Sequence, residues 1–562
     1  MEKRAILAIS LSVLVLIAFR YWEQKRYGPA PANLPVAQAP VTATPASIPT
    51  KAAARIEPSV PSENLPAEDT REIRRTVIVD GNLYRATIDN CGAVLKSWLL
   101  KEYKSSQGKI FEMIAAHHEG EKDIYPGSLI FPDPSLSALA NNEFYQVAVE
   151  GASGEEVILT PPVTVGMKLK RGDLIIEKTY RFEAERYLVE LSASFLKGGK
   201  PLEGKFFLGE DVGPEHEHLM SPAKLEAVYF QGGKVKRKGA PNREKDSEKI
   251  EGDVRWVGLD MHYFSVIAIP AQPLPYFDVQ KHSVKAVGLD GKMVNRDLIR
   301  LTTPVSGSMR YQIYLGPKRQ SDLEAVKAAN ITGVINYGMF SILVLPLLAA
   351  LRWIYQYVGN YGFAIIILTF LLSLLLFPFR LKQIISMKKM QVVQPKIKAI
   401  QEKYRRYKKT DPRRAEMNKE IMALYKEHNV NPLGGCLPLL LQFPLLFAFY
   451  SLLANSIELR QAPFVGSLQD LSTKDPYYVL PIVMGITMFI SQKMTPAAPG
   501  TDPAQAKIMM VMPVIFTAMF LNVSSGLNLY FLCSNIFQIA FQKIAERWIG
   551  DRKSGDSSKN PQ

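Results

Sequence analysis

Residues 361–395, YGFAIIILTFLLSLLLFPFRLKQIISMKKMQVVQP, constrain the chain more than any other stretch. From 362 to 379 there is no charged side chain, and then Arg380 and Lys382 open a dense basic segment. About 20 apolar residues span a bilayer core as a helix. The stretch therefore predicts a membrane helix that empties into a positively charged segment. At roughly 100° per residue, Thr369, Ser373 and Arg380 fall within about 40° of one another. One face of the helix is polar. Two readings fit it: hydroxyls bonded to their own helix backbone beside an arginine at the headgroups, or the wall of a polar groove.

A chain of 562 residues exceeds one ordinary domain. Its 47% hydrophobic content hides a split, with a β-rich region over 70–330 and an apolar helical region over 331–548. The net charge is +15, and the segment from Arg380 to His428 carries 15 Lys/Arg against 5 Asp/Glu, so +10 of it sits there. Such a concentration between apolar segments suits anionic lipid or acidic partners on the cytoplasmic side better than sequence-specific nucleic-acid binding. The three cysteines are Cys91, Cys436 and Cys533, two of them in apolar segments, which leaves no pair for a disulfide in the β-rich region.

In chain order, residues 1–27 hold an apolar run after Lys3 and Arg4, followed by Arg20, Tyr21, Trp22 and Glu23 in place of a small-residue cleavage site. This predicts an uncleaved transmembrane anchor. Residues 28–69 are a Pro/Ala-rich linker with nine prolines. Over 70–330 the pattern has period two, and the fold expected is an all-β sandwich. TVIVDGNLYRATI and KAVGLDGKMV read as hairpins with tight turns at Asp80-Gly81 and Asp290-Gly291. The region contains no GxSxG, P-loop or HExxH. His216 and His218, like His117 and His118, lack a third metal ligand and read as solvated loop residues.

Residues 331–359 carry Pro346, Arg352, Trp353, Tyr355 and Tyr357 and predict an amphipathic helix lying in the membrane surface, with a full span as the alternative. Residues 360–548 form the membrane core. Within it, 385–430 predict two antiparallel helices joined near Asp411-Pro412, with apolar positions recurring at helical spacing, Ile397, Ile400, Tyr404 and Tyr407 before the break and Met417, Ile421, Leu424 and Tyr425 after it. Four further apolar segments follow, over 434–453, 477–489, 508–521 and 526–541. Residues 549–562 are a tail. The basic hairpin then lies inside and the β domain outside, with six membrane segments and both termini inside. The last helix has its own polar stripe of Asn528, Asn535, Gln538 and Gln542. Two polar-faced helices suggest a wet groove, and helix–helix hydrogen bonding in a dry interface is the other reading.

NYGFAIIILTF, QPKIKAIQEKY, ALYKEHNVNPLGGCLPLLLQFPLLFAFY, SIELRQAPF, DPYYVLPIVMGITMF, PVIFTAMFLNVSSGLNLY and SNIF occur in this order over 359–547. In this the chain resembles the YidC/Oxa family of membrane protein insertases, in the Gram-negative form with a large periplasmic domain. The resemblance implies a multi-domain protein of the bacterial inner membrane. Its parts would be an anchor helix, an all-β super-sandwich in the periplasm and a five-helix bundle with a cytoplasmic helical hairpin. It implies a hydrophilic groove, open to cytoplasm and lipid, that inserts and helps fold membrane proteins without nucleotide hydrolysis, cofactor, metal or catalytic residue. By position, substrate contact is expected at Thr369 and Tyr530, with Phe531 and Gln442 beside them and Ser373, Arg380, Asn528 and Asn535 on the polar faces. The hairpin cations are Lys396, Lys398, Arg405, Arg406, Lys408 and Lys409. The implied partners are nascent membrane proteins, the Sec translocon, anionic lipid, and the ribosome with the signal-recognition pathway. The chain departs from the family at one point: the arginine usually found five residues before Pro378 is Ser373 here. An ion or solute transporter is the competing function, and it would require an internal repeat that the sequence does not show. A membrane-anchored periplasmic enzyme is a further one, without a catalytic constellation to support it.

Overall fold

The computed structural model describes residues 74–557, apart from 106–107, 115–123, 150–153, 214–224, 243–246, 288–292, 408–410, 429–436 and 495–502. The anchor and linker expected over 1–69 lie outside these residues, as do His117, His118, His216, His218, Lys408, Lys409 and Cys436.

Alternating burial builds a sandwich of two sheets. The smaller runs Ile110–Glu112, Val94–Lys104, Tyr84–Asp89, Thr76–Asp80 and Glu156–Leu159, and only the last pair is parallel. The larger has fourteen strands, with Leu174–Phe182 and Leu188–Lys197 among its long antiparallel members. In Leu174–Phe182 every second residue is buried, as a half-buried strand requires. The sheets meet through aromatic rings: Tyr84 stacks on Trp98 at 4.2 Å, and Phe182 of the opposite sheet lies 6.3 Å from Trp98. The short helices α1 (Pro134–Asn142) and α2 (Gln320–Ala325) flank the sandwich.

The same alternation puts Lys178 inside. Its ammonium is fully buried and donates to the carbonyls of Gly92 (2.7 Å), Gly127 (2.7 Å) and Ala93 (3.4 Å). Burial pulls its pKa down to about 7.

The first expected hairpin forms, but its turn is displaced. Asp80 pairs with Arg85, and the Gly81 N–H bonds the Tyr84 carbonyl, so Asn82 and Leu83 make the bend. Gly81 serves another purpose: a Cβ there would lie 2.9 Å from Cγ of Pro161. Asp80 is held by Arg85 and Lys101. The second hairpin pairs Val287 with Met293, and its turn lies outside the described residues.

Beyond the sandwich come α3 (Ser341–Val358), α4 (Tyr361–Lys403), α5 (Arg413–Glu427), α6 (Leu437–Asn455), α7 (Val479–Met494), α8 (Pro503–Phe520) and α9 (Ser525–Ser557). Gly359, at φ 66°, ends α3, and the Asn360 side chain accepts the Gly362 and Phe363 N–H groups to start α4. The 43 residues of α4 run without a break from the apolar segment into the first arm of the hairpin, through both Pro378 and Pro395. The sequence pattern suggested separate helices. A single rod of about 65 Å forms instead. Among the described residues, Gly338–Val358 and Tyr361–Lys403 are long and apolar enough to cross a membrane by length and composition. The remaining apolar helical stretches, Phe443–Asn455, Val479–Met494 and Met510–Phe520, are shorter.

One hydrophobic core runs from the sandwich into the near end of the helices, through Leu351, Ile365, Leu452 and Leu527. The hairpin has its own core of Val393, Ile397 and Tyr425, with Ile421 and Leu424 packed against it. Val393 and Ile397 of the first arm thus meet Ile421, Leu424 and Tyr425 of the second.

Gly485 sets the α7–α8 distance, since a Cβ there would lie 2.0 Å from Oγ1 of Thr517. Gly485→Val should prise the two helices apart at a cost of about 1–3 kcal/mol from overpacking. The expected result is a lower melting temperature of the detergent-solubilised protein, and an unchanged one would contradict this packing.

Candidate functional site

The centre of the helical region is α9, packed against α4 on one side and α7 on another and touching α6. Its α4-facing side is aromatic. Phe537 and Phe541 meet Phe370 and Phe377 of α4 at 5.4 and 5.1 Å. Tyr530 is 3% exposed and stacks on Phe449 of α6 at 4.1 Å, 10° from parallel.

On α4, Thr369 and Ser373 are buried at 2% and 4% exposure, and Arg380 is half-buried on the same face. The Thr369 hydroxyl donates to the Ile365 carbonyl at 2.6 Å. A helical hydroxyl with no better partner makes this back-bond. Arg380 and Tyr530 lie near enough to interact electrostatically, although they sit far apart in sequence on different helices. The guanidinium thus lies on the side of α4 that faces α9. The helix stays continuous through Pro378. Thr369, Ser373, Arg380 and Tyr530 thus share one region between α4, α6 and α9. Ser534, 8% exposed and one turn beyond Tyr530, belongs to that side of α9. Sequence reading missed it because a lone serine carries no signal until Tyr530 fixes which face points inward.

The polar stripe of α9 points elsewhere. The Asn528 amide donates to the carbonyls of Phe520 and Val523, both at 3.2 Å, and ties the α8–α9 turn. Gln542 donates to the Met494 carbonyl at the end of α7, at 3.0 Å. For these two residues the helix–helix reading applies, and Asn528 does not face α4. Asn535 is half-buried and lies on the same stripe by its spacing. Phe531 sets its ring edge-on to Phe520 of α8 at 4.8 Å and also turns away from α4. A 100° step per residue explains both cases: Phe531 follows Tyr530 directly, and Asn528 precedes it by two. Gln442 lies on α6, and its side chain is outside the described residues.

At the other end of the rod, Lys396, Lys398, Arg405 and Arg406 are exposed on the hairpin. Lys403 and Tyr404 both bond Glu420 across it, at 2.9 and 2.8 Å. Among the described residues no group of His, Cys, Asp and Glu side chains is arranged to hold a metal ion.

Two family models match the chain: the YidC periplasmic domain over 76–350 and the 60Kd inner membrane protein over 353–552. The membrane protein insertase YidC of Geotalea daltonii is 37% identical over 96% of this chain and 98% of its own length. That of Syntrophus aciditrophicus is 35% identical over 96% and 99%. Among solved structures, an active YidC insertase with its first transmembrane domain resolved matches 84% of this chain and 94% of its own, at 18% identity and a TM-score of 0.36.

Proposed function

Since the chain belongs to the YidC family of membrane protein insertases, we propose that its substrates pass along the face that Thr369, Ser373, Arg380 and Tyr530 share between α4, α6 and α9. The protein is an insertase of the inner membrane with a periplasmic domain, and its task is insertion, not covalent catalysis. A polar tail is costly to carry through hydrocarbon. A polar face inside the bundle shortens that path, and the substrate's apolar helix then leaves sideways into lipid, where burial drives it. The observation that carries this reading is that Arg380, within electrostatic reach of Tyr530, shares a face of α4 with the buried hydroxyls of Thr369 and Ser373.

In the finer arrangement we infer, the sandwich is periplasmic, the hairpin and both termini are cytoplasmic, and the chain crosses the membrane several times. The α3 helix lies in the interface at the periplasmic end. Three contacts support this: the Tyr337 carbonyl before it accepts from Ser451 at 2.7 Å, Arg352 bonds Glu458, and Tyr355 stacks on Tyr361 at 3.9 Å. The exposed hairpin cations face anionic lipid, the ribosome or the signal-recognition machinery, and the Sec translocon is a lateral partner.

The test is site-specific photocrosslinking to nascent membrane proteins in translating vesicles. A probe at 373 or 530 should capture the nascent chain several times more strongly than one at 542, on the opposite stripe of α9. Equal capture from both sides would refute this face as the route.

A further inference from the structure

Where the sandwich meets the helices, a cavity of about 150 Å³ is lined by charged and amide side chains from both parts. Such a volume holds several waters or one small polar group. The sandwich contributes Glu226, Arg237, Asp260, His262 and Lys318, and Asn455, the last residue of α6, comes from the helices.

These groups differ in how far they are already committed. Asp260, 5% exposed, accepts from Arg237, from Lys318 at 3.0 Å and from the Ser265 hydroxyl at 2.5 Å. One carboxylate thus holds two cations, and the trio keeps a positive charge. Arg237 also donates to the Val334 carbonyl at 2.5 Å, and Lys318 to that of Met261 at 2.5 Å. Both cations retain N–H groups for an anion. Glu226 is less engaged. Arg237 lies 4.0 Å from it, at the limit of an ion pair, and no hydrogen bond reaches its carboxylate among the described residues. His262 donates through Nε2 to the Ala454 carbonyl at 2.7 Å, since a carbonyl only accepts. Burial pulls its pKa down to about 4, so the ring is neutral and Nδ1 is a bare acceptor.

The cavity is therefore neutral in sum and divided in sign. Surplus positive charge sits at Arg237 and Lys318, and a spare carboxylate and imidazole nitrogen sit at Glu226 and His262. A neutral ligand with separated charges complements it, an anion at one end and an N–H-bearing cation at the other. None of the described lining residues is Phe, Tyr or Trp, so they supply no aromatic cage for a quaternary ammonium.

We propose that this cavity binds a phosphoethanolamine group, its phosphate at Arg237 and Lys318 and its primary ammonium at Glu226 and the Nδ1 of His262. The position offers a lipid as the carrier. Asn336, also in the lining, precedes α3. On the orientation inferred above, on which this assignment of source rests, the cavity lies at the membrane surface within reach of a phosphatidylethanolamine headgroup. A soluble phosphoethanolamine compound carries the same chemistry.

Native mass spectrometry of the full-length protein in detergent, with dioleoyl phosphatidylethanolamine and separately with dioleoyl phosphatidylcholine, reads the most tightly held lipid. Glu226→Gln keeps the shape of the site and removes the counter-charge of the ammonium. It should lower retention of phosphatidylethanolamine at least tenfold and leave that of phosphatidylcholine unchanged. Soluble phosphoethanolamine at millimolar concentration should raise the melting temperature of the wild-type protein, and phosphocholine should not. Selective retention of the lipid assigns the site to a membrane lipid, and a response to soluble phosphoethanolamine alone assigns it to a soluble ligand. Equal retention of phosphatidylethanolamine by both proteins, with no response to soluble phosphoethanolamine, would overturn the proposal. If Glu226→Gln fails to accumulate, the wild-type preference for ethanolamine over choline decides, and the absence of that preference in both forms refutes the site. Crosslinking from position 373 reads the route of substrates and not this cavity, so the two readings fail separately.

Discussion

Lys178→Met should destabilise the β domain by about 3 kcal/mol at pH 7, because three buried carbonyls lose their donor at about 1–3 kcal/mol each while the desolvation cost of the ammonium is recovered. The gap should widen with pH. The folded-state pKa is pulled down to about 7 from an ordinary value of 10.5. Between these two values the unfolded chain holds the proton more often than the folded one. Raising the pH through that window therefore stabilises the wild-type fold, by up to about 1.4 kcal/mol per unit. The variant has no such group and lacks this gain. Hydrogen exchange in strands Leu174–Phe182 and Leu188–Lys197 at pH 7 and 9, in the full-length protein, measures both effects. A pH-independent difference between the two proteins would remove the buried ammonium from the account.

Arg380→Glu should reduce insertion of a substrate with an acidic tail at least tenfold, a change of about 1.4 kcal/mol. Reversing the charge turns attraction into repulsion in a place where water screens poorly. The same variant should handle an uncharged tail nearly as well as the parent. Adding Ser373→Arg should restore the acidic substrate, because Ser373 lies on the same face of α4 about 10 Å nearer the sandwich. Protease protection of the translocated tail in vesicles gives the measurement. Normal insertion of the acidic substrate by Arg380→Glu would show that this groove works by hydration and polar side chains alone.

The sequence discloses the sandwich through period two and the helices through uninterrupted apolar runs, because both signals are local. It does not disclose Lys178. LIIEKTYRF carries the lysine in the inward register with Leu174, Ile176, Tyr180 and Phe182, but a lysine in a strand ordinarily points to water, and the three carbonyls that receive it come from other parts of the chain. The polar face of α4 is legible because Thr369, Ser373 and Arg380 interrupt an apolar helix. The stripe on α9 is equally legible, yet its direction is not: only packing shows that Gln542 meets α7 and that Tyr530 meets α6. Spacing fixes which residues share a face, and tertiary contacts decide what the face looks at.

The unbroken α4 helix also joins two separately packed regions. Its first turn is pinned: a Cβ at Gly362 would lie 2.0 Å from the Phe464 ring, and Asn360 is bonded to the same segment. Among the described residues, its far third packs in a separate core with Val393, Ile397 and Tyr425, flanked by Met390, Ile421 and Leu424. The hairpin therefore hangs on the same continuous helix that carries Thr369, Ser373 and Arg380, so the two separately packed regions share one backbone hydrogen-bond ladder.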